Sequence, residues 1–413
     1  MDFKKMALAV QDEVAAFRHD LHEHPEASLK EFRTTDQIAK EMDKLNIPYK
    51  RFDPTGLIAT IEGGKPGKTI ALRADIDALE IQEKTDLPFA SKEPGLMHAC
   101  GHDTHAAMLV GAAKVLSQVK DELCGTVKLL FQPAEEVTEG AKLAIKQGAL
   151  DGVDACFGIH IGAQRECGSV YFVPGASHAA TDRFKITVTG KATHGAKPEA
   201  GIDATVCAAA IVMNLQTIVS RETSPSMPLV VTVGSLHSGS RFNIVSGEAV
   251  REGTIRSYDV DLHHAMPEIV ERVVKSTAAA YRCEAEVEYI MMVEPLINDD
   301  DIIALARKAA AKIVDTPDQV KTAAPGMGGE DFAEYSVVTK AAFASLGAGG
   351  EFPNHSDYVV FDESAFPTGV ALYSQVAWDI LNESFHILAI SAPWKISAAL
   401  FFCSRLSTPE GHI

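Results

Sequence analysis

Four short apolar runs, at residues 56–61, 69–73, 126–131 and 155–159, alternate with helical stretches at about 106–119 and 141–147. That alternation constrains the chain more than any other feature. Near-continuous apolar strands separated by helices belong to an α/β fold: a mixed, mostly parallel sheet with helices on both faces. An amphipathic start (Met6, Val10, Val14, Phe17) and a second helix at about 32–45 lead into it. In such sheets function collects at the carboxyl ends of the strands. The chemically loaded residues fall there: Asp75 and Asp77 after 70–72, Glu135 and Glu136 after 127–131, and His160 after 157–159.

Between the second and third runs the chain reads Met97-His98-Ala99-Cys100-Gly101-His102-Asp103-Thr104-His105. A thiol, three imidazoles and a carboxylate in nine residues are ligand types that borderline-soft divalent metals prefer. The apolar run from Ala106 to Leu116 predicts a helix starting just after this cluster. Glu135 and Glu136 are adjacent, so their side chains point different ways. One can bind a metal while the other faces a water as general base. Taken alone, the pair reads equally well as solvated glutamates opening a helix. His160 alone would be a satisfied core residue, and His355, in the glycine-rich loop 347–357, a surface one. Only Cys100, His102, Glu136, His160 and His355 together favour a metal. They could fill one site or two adjacent ones. Two ions about 3.5–4 Å apart would let a shared water ionise near neutrality, with Glu135 taking its proton and returning it to a leaving amine. The reaction class is hydrolysis.

From 183 to 295 the pattern changes. Strands at about 184–189, 229–236, 249–256 and 285–292, with helices at 203–219 and 262–281, give the order β-α-β-β-α-β of a ferredoxin-like α+β unit. It reads as an inserted domain, which a chain of 413 residues has room for. Helical signals return at 302–314 and 368–381 around an apolar run at 342–346, so segments 1–182 and 296–383 would close one catalytic domain. A net charge of −18 argues against nucleic acid or an anionic membrane as partner. Seven scattered cysteines do not form a disulfide framework, and the N-terminus lacks a signal peptide's apolar core, so a cytoplasmic address is expected. Gly347–Gly350 lacks the lysine of a phosphate loop, which removes a nucleotide-binding reading. The segment 384–413 is strongly apolar but broken by Pro393 and Lys395 into runs too short to span a bilayer. A docking helix, a partner surface and an aberrant extension all stay open for it.

Together these residues resemble the metal-dependent amidohydrolases of the aminoacylase, hippurate hydrolase and indole-acetyl-amino-acid hydrolase kind, related to dinuclear zinc exopeptidases. The matching stretches are Leu72-Arg73-Ala74-Asp75-Ile76-Asp77-Ala78-Leu79, the run from His98 to His105, Gln132 to Glu136, Gly158-Ile159-His160, Gly190-Lys191-Ala192-Thr193-His194, Asn243 through Arg256, Gly328-Gly329-Glu330-Asp331-Phe332 and Asn354-His355. They run in family order from about residue 15 to 380. The resemblance implies that Cys100, His102, Glu136, His160 and His355 hold two divalent ions per subunit, which could be zinc, manganese, cobalt or nickel. It makes Glu135 the general base and Asp75 an acidic support of the metal site. Arg73 stands where related peptidases carry a ligating histidine, so it should not be a ligand. The resemblance further implies that the insert is a lid that mediates dimerisation, with a tetramer open. His194 would reach an active site, in its own or the partner subunit, and stabilise an oxyanion. Asn243, Arg256 and Gly329 would lie near the substrate. The implied activity is hydrolysis of the amide bond of small-molecule N-acyl-amino acids carrying acetyl, benzoyl or aryl-acyl groups. The alternatives are an N-acetyl-diaminopimelate deacetylase, or a dipeptidase or carboxypeptidase on the same scaffold. Retention of Glu135 with all five ligands disfavours a non-catalytic binding protein. Departures from the family are Glu80 in place of a proline, Ile161-Gly162-Ala163-Gln164 where prolines are usual, and the tail beyond Asn382. They bear on substrate fit rather than on the ligands.

Overall fold

In the computed structural model, which describes residues 1–382, the apolar runs pair into one eight-stranded sheet. Its order is Tyr49–Arg51, Leu57–Glu62, Cys124–Gln132, Lys65–Asp75, Ala155–Gly162, Lys340–Gly347, Val170–Phe172 and Val320–Thr322. The central pairings, from Cys124–Gln132 across to Lys340–Gly347, are all parallel, and so is the last edge pair. The remaining three pairings are antiparallel. The expected mixed, mostly parallel sheet is therefore present. The apolar segment 384–413 lies outside the described residues.

Both faces are covered. Helices His102–Gln118 and Phe366–Asn382 pack on each other and on strand Lys65–Asp75. On the other face Ala71, Leu130, Cys156 and Phe343 pack with Ala141 and Ala144 of helix Gly140–Lys146 and with Phe332. A sheet wet on neither face needs apolar residues at successive positions. Residues 70–75 are accordingly buried without a break.

Helix His102–Gln118 begins inside the polar cluster, not just after it. Gly101 caps it at φ 92°, and its carbonyl accepts from the amides of Thr104 and His105. A Cβ at Gly101 would lie 2.5 Å from Ile161 and 2.9 Å from Phe361, so the position requires glycine twice over. Apolar periodicity underestimates this helix because its first turn buries ligand-type residues instead of hydrophobes.

A second, four-stranded antiparallel sheet runs in the order Leu229–Ser238, Glu248–Ser257, Ala180–Thr189 and Glu284–Val293. Helices Ala204–Thr217 and Val260–Ala280 cover it around Phe184, Ile186, Ile211, Leu215, Ile255, Met266, Val270 and Val274. The stretch Ala204–Glu222 is long and apolar enough to cross a membrane, but Cys207, Ala208, Ile211 and Leu215 are buried in this core.

Candidate metal and catalytic centre

Neighbouring strand ends deliver the cluster. Asp75 and Gln132 end adjacent parallel strands in register, with Asp77, Glu135 and Glu136 just beyond them. His160 lies near the end of the next strand, and His355 in the loop after the one beyond. The backbone turns left-handed at Ala134 (φ 56°) and at His355 (φ 68°). Such turns cost a non-glycine residue about 1–2 kcal/mol and persist where surroundings fix them. Here Glu31 accepts the Ala134 amide at 2.8 Å, and the Ala99 carbonyl accepts the His355 amide at 2.8 Å.

Cys100 Sγ lies 3.3 Å from His160 Nε2 and 3.2 Å from His355 Nε2. Glu136 Oε1 lies 3.8 Å from His102 Nε2 and 3.9 Å from His355 Nε2. Ligand atoms around one tetrahedral zinc ion stand about 3.3–3.7 Å apart, given bond lengths of about 2.0–2.3 Å. His102 Nε2 and Glu136 Oε1 are moreover buried with no hydrogen-bond partner, although buried polar atoms are ordinarily paired. The donor set fits a metal. Cys100 belongs both to a group with His102 and His160 and to one with Glu136 and His355, the sharing expected of a thiolate between two ions. Glu135 approaches His102 Nε2 to 3.9 Å from the same side.

The other ring nitrogens explain why these lone pairs point inward. His160 Nδ1 donates to the Ile161 carbonyl at 2.7 Å, and His102 Nδ1 donates to Asp77 at 3.1 Å. Each fixes the tautomer that leaves Nε2 free. His105 differs, because Nδ1 donates to Asp75 and Nε2 accepts the Ile161 amide at 2.8 Å. Both nitrogens are used, so it orients rather than ligates. Asp75 likewise has both oxygens engaged, by His105 and by Arg73 at 2.7 Å. It supports the site from behind, as a positioning residue. Arg73 is fully buried between Asp75, Glu330, Asp331 and Gln132, which accounts for its not being a ligand.

Burial pushes the Glu135 carboxyl well up, with Glu330 and Asp331 adding to the rise against His102. Burial holds His160 well below the usual histidine range, which keeps its lone pair available. Burial would lower His102 too, but Asp75 and Cys100 lift it well above that range. Asp75, Asp77, Glu135 and Glu136 crowd this one ring, an excess of carboxylate that a divalent cation would offset.

The residues of the insert sit elsewhere. His194 pairs with Ile244 in a two-stranded ribbon, and Asn243 beside it accepts the Gly195 amide. Among the described residues no hydrogen bond or ion pair joins either of them to Cys100, His102 or Glu135. Arg256 and Gly329 converge instead on Thr181, which pairs with Arg256, while a Cβ at Gly329 would lie 2.3 Å from its hydroxyl. Sequence reasoning assigned no role to Asp77, His105 or Asn354. The Asn354 amide donates to the carbonyls of Cys100 and Ile161 at 2.9 and 3.0 Å, tying the His355 loop to two ligand segments. The signal for Asp77 and His105 was present, since both lie in the motifs that carry the ligands.

An α/β sheet that gathers Cys, His and Glu donors at its strand ends, with a second glutamate beside them, defines a metal-dependent hydrolase. The pattern of peptidase family M20/M25/M40 matches residues 71–379, and the chain belongs to that family. It is 41% identical over 357 residues to N-acetyl-L-cysteine deacetylase of Bacillus subtilis, covering 86% of this chain and 85% of that one. It is 36% identical over 384 residues to thermostable carboxypeptidase 1 of Saccharolobus solfataricus, covering 91% and 97%. A solved dinuclear metal-binding peptidase of the M20 family from Bacillus subtilis superposes with TM-score 0.80 at 36% identity, covering 90% and 99%.

Proposed function

We propose that this chain is an N-acyl-amino-acid amidohydrolase that releases a carboxylic acid and a free amino acid. The observation that carries the reading is Glu135, buried 3.9 Å from His102 Nε2, which like Glu136 Oε1 is buried without a hydrogen-bond partner. Two divalent ions of the zinc, manganese, cobalt or nickel class, when bound, would polarise the scissile carbonyl and acidify a water. Cys100, His102, Glu136, His160 and His355 would hold them. Glu135 takes the proton of the attacking water and returns it to the leaving nitrogen; its raised affinity for protons suits both steps. Asp77 and the Ile161 carbonyl keep the two imidazoles in their ligating tautomers. The test is amino-acid release from N-acetyl, N-benzoyl and indole-acetyl amino acids, a diaminopimelate conjugate and dipeptides, with chelated and metal-supplied enzyme. Metal-restored release from acyl conjugates supports the reading, whereas release only from dipeptides supports the carboxypeptidase alternative that the 36% relative favours. Glu135→Gln should keep its metal and lose turnover by about two to four orders of magnitude; retained turnover excludes Glu135 as base.

In the same reading residues 183–295 form a lid that carries a homodimer contact, and the enzyme works in the cytoplasm. His194 then reaches the partner subunit's centre, and Asn243, Arg256 and Gly329 line the substrate. His194 is held locally, paired with Ile244 and accepting the Ala196 amide on Nδ1, which leaves Nε2 to reach a centre. Mixed dimers of His194→Ala and Glu135→Gln chains should regain about a quarter of wild-type activity, from statistical pairing of one intact centre in half the molecules. No recovery places a complete site in each subunit.

A further inference from the structure

A second group of metal-type donors stands where the chain crosses into and out of the four-stranded sheet. Asp182 is the third residue of the entering strand Ala180–Thr189, and Glu294 follows the leaving strand Glu284–Val293 directly. Between them helix Val260–Ala280 presents His263 and His264 in its first turns. His264 Nε2 lies 2.8 Å from Glu294 Oε1, and His263 Nε2 lies 3.7 Å from Glu294 Oε2. The second distance is too long for a hydrogen bond. It matches the separation of two ligands on one tetrahedral zinc ion, about 3.3–3.7 Å.

The side of His263 away from Glu294 is already built as a metal site builds it. Its Nδ1 donates to Asp182 Oδ2 at 3.1 Å, and the Tyr289 hydroxyl donates to the same oxygen at 2.6 Å. A carboxylate on Nδ1 fixes the ring and leaves Nε2 with its lone pair outward, the arrangement that raises the basicity of ligating histidines. Asp182 and His263 are each 1% exposed, and Asp182 Oδ1 has no hydrogen-bond partner. The Arg256 guanidinium also acts on this carboxylate, and Asp182 Oδ1 still lacks a hydrogen-bond donor, although buried polar atoms are ordinarily paired. His264 and Glu294, at 43% and 20% side-chain exposure, leave an open path from solvent and room for a water as fourth ligand.

We propose that His263, His264 and Glu294 form a second site for a zinc-class divalent ion, separate from the Cys100 centre, with Asp182 orienting His263. The ion joins the start of helix Val260–Ala280 to the segment leaving the sheet. Through Asp182 it also joins both to the entering strand, so it cross-braces the two crossings of the chain. It contains no sulfur ligand, which separates it spectroscopically from a centre built on Cys100.

The full chain is stripped with chelator, equilibrated with micromolar free zinc, and analysed for metal per chain. His264→Gln and Glu294→Gln change surface-accessible positions, and thermal unfolding in chelator confirms that each folds. Each should bind one ion fewer than wild type, whereas Cys100→Ala should lose metal independently and additively. With cobalt, the wild-type-minus-His264→Gln difference spectrum should show d–d bands without the sulfur-to-cobalt charge transfer of the Cys100 centre. Equal zinc content in wild type and both variants overturns the proposal and leaves His264 and Glu294 as a surface ion pair. Because the readout is stoichiometry in variants outside the Cys100 centre, it stands whether or not N-acyl-amino acids prove to be the substrate.

Discussion

Arg73 is the residue whose removal should be felt most, although it touches no proposed ligand. Its Nε donates to Gln132 at 2.8 Å, one terminal nitrogen to Asp75 at 2.7 Å, and the other to Asp331 at 2.8 Å with Glu330 at 3.1 Å. Arg73, Asp75 and Asp331 are wholly buried. Although burial alone would raise the Asp75 carboxyl, Arg73, His102 and His105 hold it well below the carboxylate range. In Arg73→Met the chain keeps its bulk and loses the cation. Asp75 then retains His105 and, at 3.6 Å, His102, and Asp331 only the Gln132 amide and the Ala141 amide at 3.0 Å. Removing one partner of a buried ion pair costs about 3–5 kcal/mol. With three carboxylates sharing this guanidinium, the loss should reach at least that range, a large part of a total stability of about 5–15 kcal/mol. Arg73→Lys keeps the charge, but a single nitrogen cannot span the fork. It should forfeit at least one charge-assisted bond, about 1.5–3 kcal/mol, and fall between wild type and Arg73→Met. Urea unfolding followed by circular dichroism measures both without adding salt. The pH dependence has a definite sign. A carboxylate whose folded pKa is depressed stabilises the fold above its unfolded pKa, about 4, and that contribution is lost as acid approaches the folded value. Wild type should therefore lose Asp75's contribution below about pH 4, while Arg73→Met, left with only the His102 and His105 share, has less of it to lose, so their difference narrows there. A Met variant within about 1 kcal/mol of wild type at pH 7, or one more stable than the Lys variant, refutes the compensation argument.

Two further perturbations probe the ligand shell from behind. Asp77→Asn removes the charge that holds His102 in its ligating tautomer while keeping the size of a residue that also accepts from Ser28 and the Glu136 amide. Metal affinity by chelator competition should fall about 10–100-fold with the fold intact, and unchanged affinity would remove Asp77 from the support of the site. Gly101→Ala forces a Cβ against Ile161 and Phe361 at a left-handed position. Strain and overpacking together predict a loss of about 2–4 kcal/mol and weaker metal retention; a melting temperature matching wild type would show that the helix start can shift without cost.

What the sequence made legible, and what it hid, divides along one physical line. Runs at 69–73 and 155–159 were readable as strands because a sheet covered on both faces needs successive apolar residues, a purely local signature. The ligand types at Cys100 and His102 were readable because they crowd one short stretch. Arg73 was excluded as a ligand, yet its actual role depends on Gln132 and Asp331, which lie 59 and 258 positions away. His105 is an imidazole in the same short run as His102, and sequence reasoning gives it no place in the ligand set and no role of its own. The Ile161 amide on one nitrogen and Asp75 on the other, both distant in sequence, give the physical reason it does not ligate.

The convergence of the site itself follows from strand order, which no local pattern encodes. Cys124–Gln132, Lys65–Asp75, Ala155–Gly162 and Lys340–Gly347 are consecutive in the sheet and mutually parallel, so all four carboxyl ends lie on one edge. Register then sets depth. Asp75 lies opposite Gln132, which places Glu135 and Glu136 one turn beyond the edge, and Arg73 lies opposite Gly158, two residues short of His160. A Cβ at Gly158 would meet the rings of Phe332 and Phe343 at 2.7–2.8 Å, so only glycine lets those aromatics close under the centre. A one-residue slip of strand Lys65–Asp75 would turn Arg73 and Asp75 to the opposite face, away from Gln132 and His105. The buried ion network therefore specifies the register that the metal ligands depend on, which is why a residue that holds no metal should govern metal binding.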